Sequence, residues 1–335
     1  MTTSSEEQIR DFLRRMAAEA PSTDTRTPGR VRRHARLGMI GWSLTTALAV
    51  IAVPLAAFAV LRSTPGVAPP DRAASGLEPL LAYSRGESRI WLMAPDGSEQ
   101  RPLTPPGVYA FQPDWSPDGE RIVYISDNRI WVIDVDTEDV ETLPATPGGQ
   151  PVGPQWAPDG SSIAFADALP TGNGSGIYLL TLDDEGMTVI TEEAAGGGLL
   201  TWSPDGSEIA FTREHGDVAN VWAVNVVTGE LRQISDSGFG YDPAWSPDGA
   251  LIAYFDSQIW VVNADGSGHA RVVTESEGCE ANTPHWSPDG SWITFRSCEN
   301  SGPNDLYRIH PDGTGLMQLT DTPEVEKGGD WRPTG

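Results

Sequence analysis

Cysteine, histidine and lysine are scarce in this sequence. The 335 residues include two cysteines, five histidines and a single lysine, Lys327. The histidines and cysteines show no His-Glu-x-x-His, paired-histidine or Cys-x-x-Cys spacing, so no metal site and no cofactor is predicted. No serine has a glycine two residues before it and another two residues after it, which excludes the nucleophile elbow of the α/β-hydrolases. We therefore expect a protein that is not an enzyme, and no residue is assigned a catalytic role.

Acidic residues outnumber basic residues in most of the chain. Lysine and arginine total 22 against 47 aspartates and glutamates, which gives a net charge of −25. The imbalance is uneven, because residues 1–36 carry a net charge of +3 and the remainder carries −28. A domain this acidic repels phosphate backbones, so nucleic acid is not expected as a partner. The acidic surface is explained by solubility or, alternatively, by attraction for basic partners or weak binding of divalent cations.

Long runs without charge are also rare, and the exception lies near the N-terminus. Residues 37–61 contain no charged side chain, and a helix of that length spans a bilayer core. The run is preceded closely by Arg30, Arg32, Arg33 and Arg36. This bias predicts a single-pass anchor in the cytoplasmic membrane, with the N-terminus in the cytoplasm and the rest of the chain outside. The alternative is a cleaved signal peptide, because Ala57 and Ala59 have cleavage-site spacing.

Two shorter segments flank the uncharged run. Residues 1–36 begin with Ser4 and Glu7 at capping-box spacing, followed by apolar residues on one helical face. This pattern predicts a short cytoplasmic amphipathic helix, which either lies on the inner membrane surface or is half disordered; the alternative is that residues 5–20 dock a cytoplasmic partner. Residues 62–78 have the proline and glycine content that is typical of a semi-rigid linker.

Most of the remaining chain consists of one repeated unit. Trp-Ser-Pro-Asp-Gly occurs four times, and Trp-Ala-Pro-Asp-Gly occurs once, with tryptophans at 115, 156, 202, 245 and 286. These intervals suit one four-stranded propeller blade. Within the unit, proline sets the φ of the turn, aspartate caps the turn with its side chain, and glycine takes a positive φ. The unit therefore predicts a tight hairpin.

The number of copies predicts the number of blades. A β-branched or aromatic second strand, such as Ile122–Ile125, follows each turn, and a third-strand motif such as Ile130-Trp131 occurs six times. A fourth strand then follows a polar or glycine turn, as in the pattern that ends at Leu103 and Thr104. The first copy starts at Leu80 without a first strand, and the chain supplies one around Trp331. We predict an all-β fold in which residues 79–335 form a six-bladed β-propeller closed by the C-terminal strand. One transmembrane helix and a short amphipathic helix precede it.

The repeated unit resembles that of the TolB-type β-propeller, a relative of the WD-repeat propellers. The resemblance rests on Trp-Ser-Pro-Asp-Gly, on the Ile-Ala-Phe that follows it and on the later Ile-Trp-Val, and it covers residues 79–335. It implies a non-catalytic, protein-binding propeller outside the cytoplasmic membrane, and it does not identify the partner.

The two cysteines, Cys279 and Cys298, both lie in the part that is predicted to be outside the cytoplasm. They are equidistant from the turn at Pro288 and Asp289, so a hairpin centred there places them opposite each other, give or take one bulge. At that separation a disulfide can form, and an oxidising compartment favours it. The alternative is a pair of free or buried thiols.

The candidate binding site lies where the copies differ, just before the first-strand tryptophans. These positions are expected to approach the central channel, where strand ends carry function on a rigid scaffold. The predicted ligand-binding residues at the channel mouth are Gln112, Asp114, Tyr241, Asp242, His285, Lys327 and Asp330; Gln155 and Asn282 occupy similar positions. The alternative is a solvated channel without a ligand.

These features predict a membrane-anchored, extracytoplasmic propeller that binds or scaffolds a protein or peptide partner in the cell envelope. One alternative is a signalling protein that senses an extracellular ligand and reports through the N-terminal helix. Another is a propeller enzyme, a lyase or glycan-processing protein, with acids and histidines such as Asp242 and His285 at the channel mouth.

Overall fold

The computed structural model describes residues 80–86, 89–171, 174–194, 198–272, 281–298 and 303–334. In these residues, 24 β-strands form six sheets of four strands each. The strands in chain order are β1 (Leu81–Arg85), β2 (Arg89–Met93), β3 (Arg101–Pro102), β4 (Phe111–Trp115), β5 (Arg121–Ser126), β6 (Arg129–Asp134), β7 (Val140–Thr142), β8 (Val152–Trp156), β9 (Ser162–Ala168), β10 (Ser175–Thr181), β11 (Met187–Ala194), β12 (Leu200–Trp202), β13 (Glu208–His215), β14 (Val218–Asn225), β15 (Leu231–Gln233), β16 (Tyr241–Trp245), β17 (Leu251–Asp256), β18 (Gln258–Asn263), β19 (Ala270–Arg271), β20 (Asn282–Trp286), β21 (Ile293–Cys298), β22 (Asn304–Ile309), β23 (Met317–Gln318) and β24 (Glu326–Trp331).

Each sheet is one blade of a six-bladed propeller, which confirms the predicted all-β fold. Blade 1 has the strand order β24-β1-β2-β3, and blades 2 to 6 consist of β4–β7, β8–β11, β12–β15, β16–β19 and β20–β23. The first strands of neighbouring blades contact one another around the ring, for example β4 with β8 and β20 with β24. These first strands therefore surround the central channel.

The C-terminal strand β24 closes the ring, as predicted. It pairs antiparallel with β1, with Trp331 opposite Leu81 and Glu326 opposite Arg85. The Arg332 N–H also donates a hydrogen bond to the Leu80 carbonyl at 2.8 Å. The last strand of the propeller thus covers the edge of the first, and a covered edge cannot template aggregation.

A buried carboxyl group lies at the start of the closing strand. The Glu326 side chain is fully buried, and Thr322 Oγ1 donates a hydrogen bond to its Oε1 at 2.6 Å. Arg85 Nε lies 3.4 Å from the same oxygen. Burial raises the pKa of Glu326 to about 7. The ring closure therefore contains a group whose charge changes near neutral pH.

The Ser-Pro-Asp-Gly turn forms the predicted hairpin between the first and second strands. In blade 5, Ser246 Oγ donates to Asp248 Oδ1 at 2.6 Å, and the Ala250 N–H donates to the same oxygen at 3.0 Å. Gly249 has a φ of 73°, and its N–H donates to the Ser246 carbonyl at 2.9 Å. The aspartate caps the turn, and the glycine takes the left-handed conformation that other residues resist.

The repeated tryptophans pack between neighbouring blades. Trp156 of blade 3 shares a buried cluster with Val123 and Ile130 of blade 2. The indole N–H of Trp286 in blade 6 donates to the Ala244 carbonyl of blade 5 at 3.1 Å. All six repeated tryptophans are at most 9% exposed. Close packing at every blade junction makes the ring a rigid scaffold for the groups at its axis.

The predicted segments before the propeller lie outside the described residues. These are the amphipathic helix within residues 1–36, the transmembrane helix at 37–61 and the linker at 62–78. In the part of the chain that the structure describes, no helix has the length and apolar character of a membrane span. Cys279 is also outside the described residues, and Cys298 ends β21 opposite Asn304. The disulfide stays a prediction.

Candidate functional site

Five of the six first strands share a backbone irregularity three residues before the tryptophan. The residues at this position around the ring are Gln112, Gly153, Leu199, Asp242, Thr283 and Gly328. All except Leu199 have a positive φ, between 49° and 81°. The strand register shifts beside each of these five residues, which is the sign of a β-bulge. Bulges re-aim side chains and recur beside functional sites.

Three of these bulge residues are not glycine and therefore carry backbone strain. The φ is 54° at Gln112, 49° at Asp242 and 51° at Thr283. A positive φ is uncommon for any residue with a side chain and is an outlier for β-branched threonine. Such conformations cost on the order of 1–3 kcal/mol each, and they cluster at ligand-binding sites. The strain therefore marks this ring of residues as a candidate site.

A cavity of about 360 Å³ lies among the bulges, and we call it the channel cavity. Its size falls within the range of ligand pockets. Four of the predicted site residues line it, namely Gln112, Asp242, His285 and Lys327. The rest of its wall consists of Phe111, Pro113, Gly153, Pro154, Gln155, Leu199, Thr283, Arg296 and Gly328.

Two polar side-chain atoms in the wall of the channel cavity are buried and have no hydrogen-bond partner among the described residues. The atoms concerned are Nε2 of His285 and Oγ1 of Thr283. By contrast, Gln112 Oε1 accepts the Gly153 N–H at 2.9 Å. An unsatisfied buried polar atom costs about 1–3 kcal/mol. His285 and Thr283 therefore offer groups that a ligand can satisfy.

The charged groups of the channel cavity are two bases, Arg296 and Lys327, and one acid, Asp242. Asp242 Oδ1 accepts the Leu199 N–H at 3.3 Å, and burial raises the pKa of Asp242. Arg296 Nε donates to Asn282 Oδ1. Within the described residues, neither base forms an ion pair. The cavity therefore presents an excess of positive charge inside an acidic protein.

Asp114 and Asp330, also predicted as site residues, join neighbouring blades. Oδ2 of Asp330 accepts the Trp115 N–H at 2.9 Å, and Oδ2 of Asp114 accepts the Trp156 N–H at 2.7 Å. Burial, reinforced by the charge of Asp330, raises the pKa of Asp114 well above its usual range. His285 Nδ1 lies 3.7 Å from Asp330 Oδ1. Asp330 does not line the channel cavity itself but lies next to His285, which does.

The remaining predicted residue, Tyr241, lies in a second and more open space of about 590 Å³. Its ring centroid is 5.2 Å from that of Phe239 and 6.5 Å from that of Phe255. We call this space the aromatic hollow; it is also lined by Gly198, Glu214 and Asn282. Asp242 and Arg296 border both spaces. The channel cavity and the aromatic hollow are therefore adjacent, and together they form the channel mouth.

Three residues that line the channel mouth were not predicted from the sequence, namely Arg296, Phe239 and Thr283. Arg296 lies in the second strand of blade 6, opposite Asn282. The equivalent positions in blades 2, 3 and 5 hold Ile125, Ala166 and Phe255. A charged side chain at this point of the repeat was therefore a detectable signal. Phe239 precedes its strand in a loop outside the repeated motif, and no pattern in the sequence marks it.

The family model of the TolB beta propeller domain matches residues 81–258, more than half of the chain. An uncharacterized protein of Agrobacterium fabrum is 31% identical over 196 residues, which cover 55% of this chain and 64% of that protein. A TolB homolog of Chlorobium luteolum is 28% identical over 131 residues, covering 38% and 30%. The Tol-Pal system protein TolB of Anaeromyxobacter dehalogenans is 32% identical over 90 residues, covering 25% and 20%. The chain spans less than two thirds of each of these relatives.

Solved structures share the propeller fold. A TolB-like protein of Agrobacterium tumefaciens superposes with a TM-score of 0.62 at 22% identity, covering 75% of this chain and 90% of that one. TolB of Acinetobacter baumannii gives 0.66 at 18% identity, covering 76% and 67%. An oligogalacturonate lyase in complex with manganese gives 0.50 at 18% identity, covering 73% of each chain. These identities establish the fold alone, whereas the family match over residues 81–258 shows that the chain belongs to the TolB β-propeller family.

Proposed function

We propose that the protein is a membrane-anchored, extracytoplasmic propeller that binds or scaffolds a protein or peptide partner of the cell envelope at its channel mouth. The observation that carries the proposal is a ring of strained residues around a cavity that holds two buried, unsatisfied polar atoms of the described chain. Strain and unsatisfied groups destabilise the free protein, and a ligand that bonds to them offsets that cost.

The family supports a binding role in the envelope. One of the similar proteins is a Tol-Pal system protein TolB, and another is a TolB homolog. The proposed binding mode also suits the architecture, since loops and strand ends on a rigid scaffold carry function in many folds. In this chain the residues at the axis differ from blade to blade, whereas the turn and tryptophan positions repeat.

The proposed location rests on the N-terminal sequence. Residues 37–61 carry no charge and follow four closely spaced arginines, which favours a cytoplasmic N-terminus and an external propeller. Protease added to intact spheroplasts should degrade the propeller and spare a tag placed on the N-terminus. A propeller that becomes accessible only after lysis would contradict this topology.

The binding proposal is tested by crosslinking and capture from intact cells. Asp242→Ala removes the carboxyl group that borders both spaces of the channel mouth and should abolish recovery of the envelope partner. Val227→Ala is the matched control, because Val227 is 88% exposed and borders neither space. Equal recovery with both variants would show that the partner binds elsewhere.

A lyase or glycan-processing activity is the alternative that one observation favours. Asp242 and His285 line the same cavity, and the raised pKa of Asp242 suits a general acid. The two functions separate in an assay of the purified protein with uronate-containing oligosaccharides. Product formation that Asp242→Asn and His285→Ala abolish would replace the binding proposal with catalysis.

A further inference from the structure

The channel cavity is rich in hydrogen-bond donors. Arg296 and Lys327 carry donors only, and Thr283 Oγ1 has no partner among the described residues. Gln112 already uses its carbonyl oxygen to accept the Gly153 N–H, so its amide NH₂ is the group left for a ligand. A donor-rich wall is complementary to a group that only accepts hydrogen bonds.

The charge of the channel cavity also favours an anionic ligand group. The chain has 22 basic residues against 47 acidic ones, yet the channel cavity is lined by two bases and a single acid. That acid, Asp242, accepts the Leu199 N–H, and burial disfavours its charged form. Arg296 is half-buried and its charge interacts with that of Asp242, whereas Lys327 is exposed. A half-buried base attracts an anion more strongly than one in bulk water does.

The aromatic hollow adds an apolar surface beside these donors. Phe239 is 45% exposed and packs edge-on against Tyr241 and Phe255, with ring centroids 5.2 Å and 6.1 Å apart. Because Arg296 borders both spaces, one extended segment can reach from the hollow into the cavity.

We infer that the channel mouth recognises a carboxylate on an extended segment of the partner protein, bound by Arg296, Lys327 and Thr283, with a neighbouring large apolar side chain on the aromatic hollow. This inference rests on the proposed binding function and adds the chemistry of the ligand. The carboxylate is supplied either by the C-terminus of the partner or by an aspartate or glutamate side chain.

Labelled hexapeptides with one aromatic residue distinguish these sources, with anisotropy measured on the full-length protein in detergent. One peptide pool has a free C-terminal carboxylate and no acidic side chain, a second is amidated and has one aspartate, and a third is amidated and has no acid. We expect one or both acidic pools to bind at least about ten-fold more tightly than the neutral pool. The tighter acidic pool identifies the source of the carboxylate. Equal affinity for all three pools, or binding by none, would overturn the inference.

Two substitutions test whether Lys327 and Arg296 cause the preference for acidic peptides. Lys327→Gln and Arg296→Gln should each weaken binding of the acidic pools about ten-fold and leave the neutral pool unchanged. Arg101→Gln is the matched control, because Arg101 is exposed in β3 and borders neither space. Lys327 is also exposed, so its substitution is a test that does not depend on the stability of the Arg296 variant.

The capture experiment separates failure of this inference from failure of the proposed function. A partner whose recovery depends on Asp242 but is unaffected by both Lys327→Gln and Arg296→Gln would leave channel-mouth binding in place and overturn carboxylate recognition. Absence of any partner that depends on Asp242 would overturn both.

Discussion

Single residues at the ring closure and at the blade junctions affect the stability of this propeller. At the ring closure, the stability depends on the protonation of Glu326; at a blade junction, it depends on the hydrogen bond that Asp114 accepts. Glu326 has an ordinary pKa of 4.5 that burial raises to about 7. Folding therefore favours the protonated carboxyl group. Its contribution to stability is fully present below pH 4.5 and is lost as the pH rises through 7.

Glu326→Gln should remove this pH dependence. We expect the variant to be more stable than the wild type at pH 8 by about 3 kcal/mol, and the two proteins to converge near pH 4.5. Urea denaturation between pH 4.5 and pH 8 measures the difference. Other buried carboxyl groups, such as Asp242, change the stability of both proteins with pH by the same amount. A constant difference across this range would show that the Glu326 charge is not responsible.

Asp114 should contribute to the stability of the propeller through its hydrogen bond between two blades. Asp114→Ala removes the acceptor of the Trp156 N–H between blades 2 and 3, and we expect it to lower the free energy of unfolding by about 1–3 kcal/mol. Asp136→Ala, at an exposed position, is the control and should change stability by less than about 0.5 kcal/mol. If both variants unfold at the same urea concentration, the carboxylate does not join the blades.

The residue scale is also where the sequence was least informative. Proximity to the tryptophans predicted that Gln112, Asp242, His285 and Lys327 approach the channel, and all four line the channel cavity. It could not show that Asp114 would bind a main-chain amide of the next blade, because that requires knowledge of which N–H groups lack a strand partner. Whether the channel-lining residues bind a ligand stays a prediction.

At the scale of the structural element, the bulge in five of the six first strands balances stability against function. Thr283 combines a φ of 51° with an unsatisfied buried hydroxyl group among the described residues. Thr283→Gly removes both the backbone strain and the unsatisfied hydroxyl group. It should stabilise the protein by up to about 1 kcal/mol and weaken ligand binding. Thr212→Gly is the control, because Thr212 is buried in strand β13 without a positive φ, and glycine there should destabilise. Thermal unfolding and peptide anisotropy test both effects, and a less stable Thr283→Gly protein would contradict the strain argument.

The elements themselves were largely predictable, since proline, aspartate and glycine in the repeated turn each perform a local task. The second strand expected at Ile122–Ile125, for example, lies within β5 (Arg121–Ser126). The fourth strands were less predictable. The pattern ending at Leu103 and Thr104 falls just beyond β3 (Arg101–Pro102), where the amides of both residues donate to the Ile90 carbonyl. Outer strands bury little, so hydrophobic pattern constrains their ends weakly.

At the scale of the whole molecule, ring closure joins the two ends of the propeller. Deletion of residues 326–335 removes β24 and exposes the edge of β1. We expect the shortened protein to lose cooperative unfolding and to aggregate, because blade 1 then lacks its inner strand. Size-exclusion chromatography and circular dichroism measure both properties. Deletion of residues 333–335, which follow β24, is the control; a monomeric, cooperatively folded protein without β24 would contradict closure as a requirement.

The N-terminal segment should be dispensable for envelope binding. Deletion of residues 5–20 leaves the arginines at 30 to 36 in place, so the predicted membrane orientation is preserved. Capture from intact cells is expected to recover the same envelope proteins with and without this segment. A cytoplasmic regulator recovered only with the complete chain would favour the signalling alternative.

The single lysine of the chain has a practical consequence for reagents. Because Lys327 lines the channel cavity and is exposed, its ε-amine and the α-amino group at the N-terminus are the primary amines of the polypeptide. Succinimidyl dyes, amine-reactive sensor chips and aldehyde fixation would therefore attach to the propeller at the channel mouth. Endoproteinase Lys-C would cut the chain once, inside its closing strand.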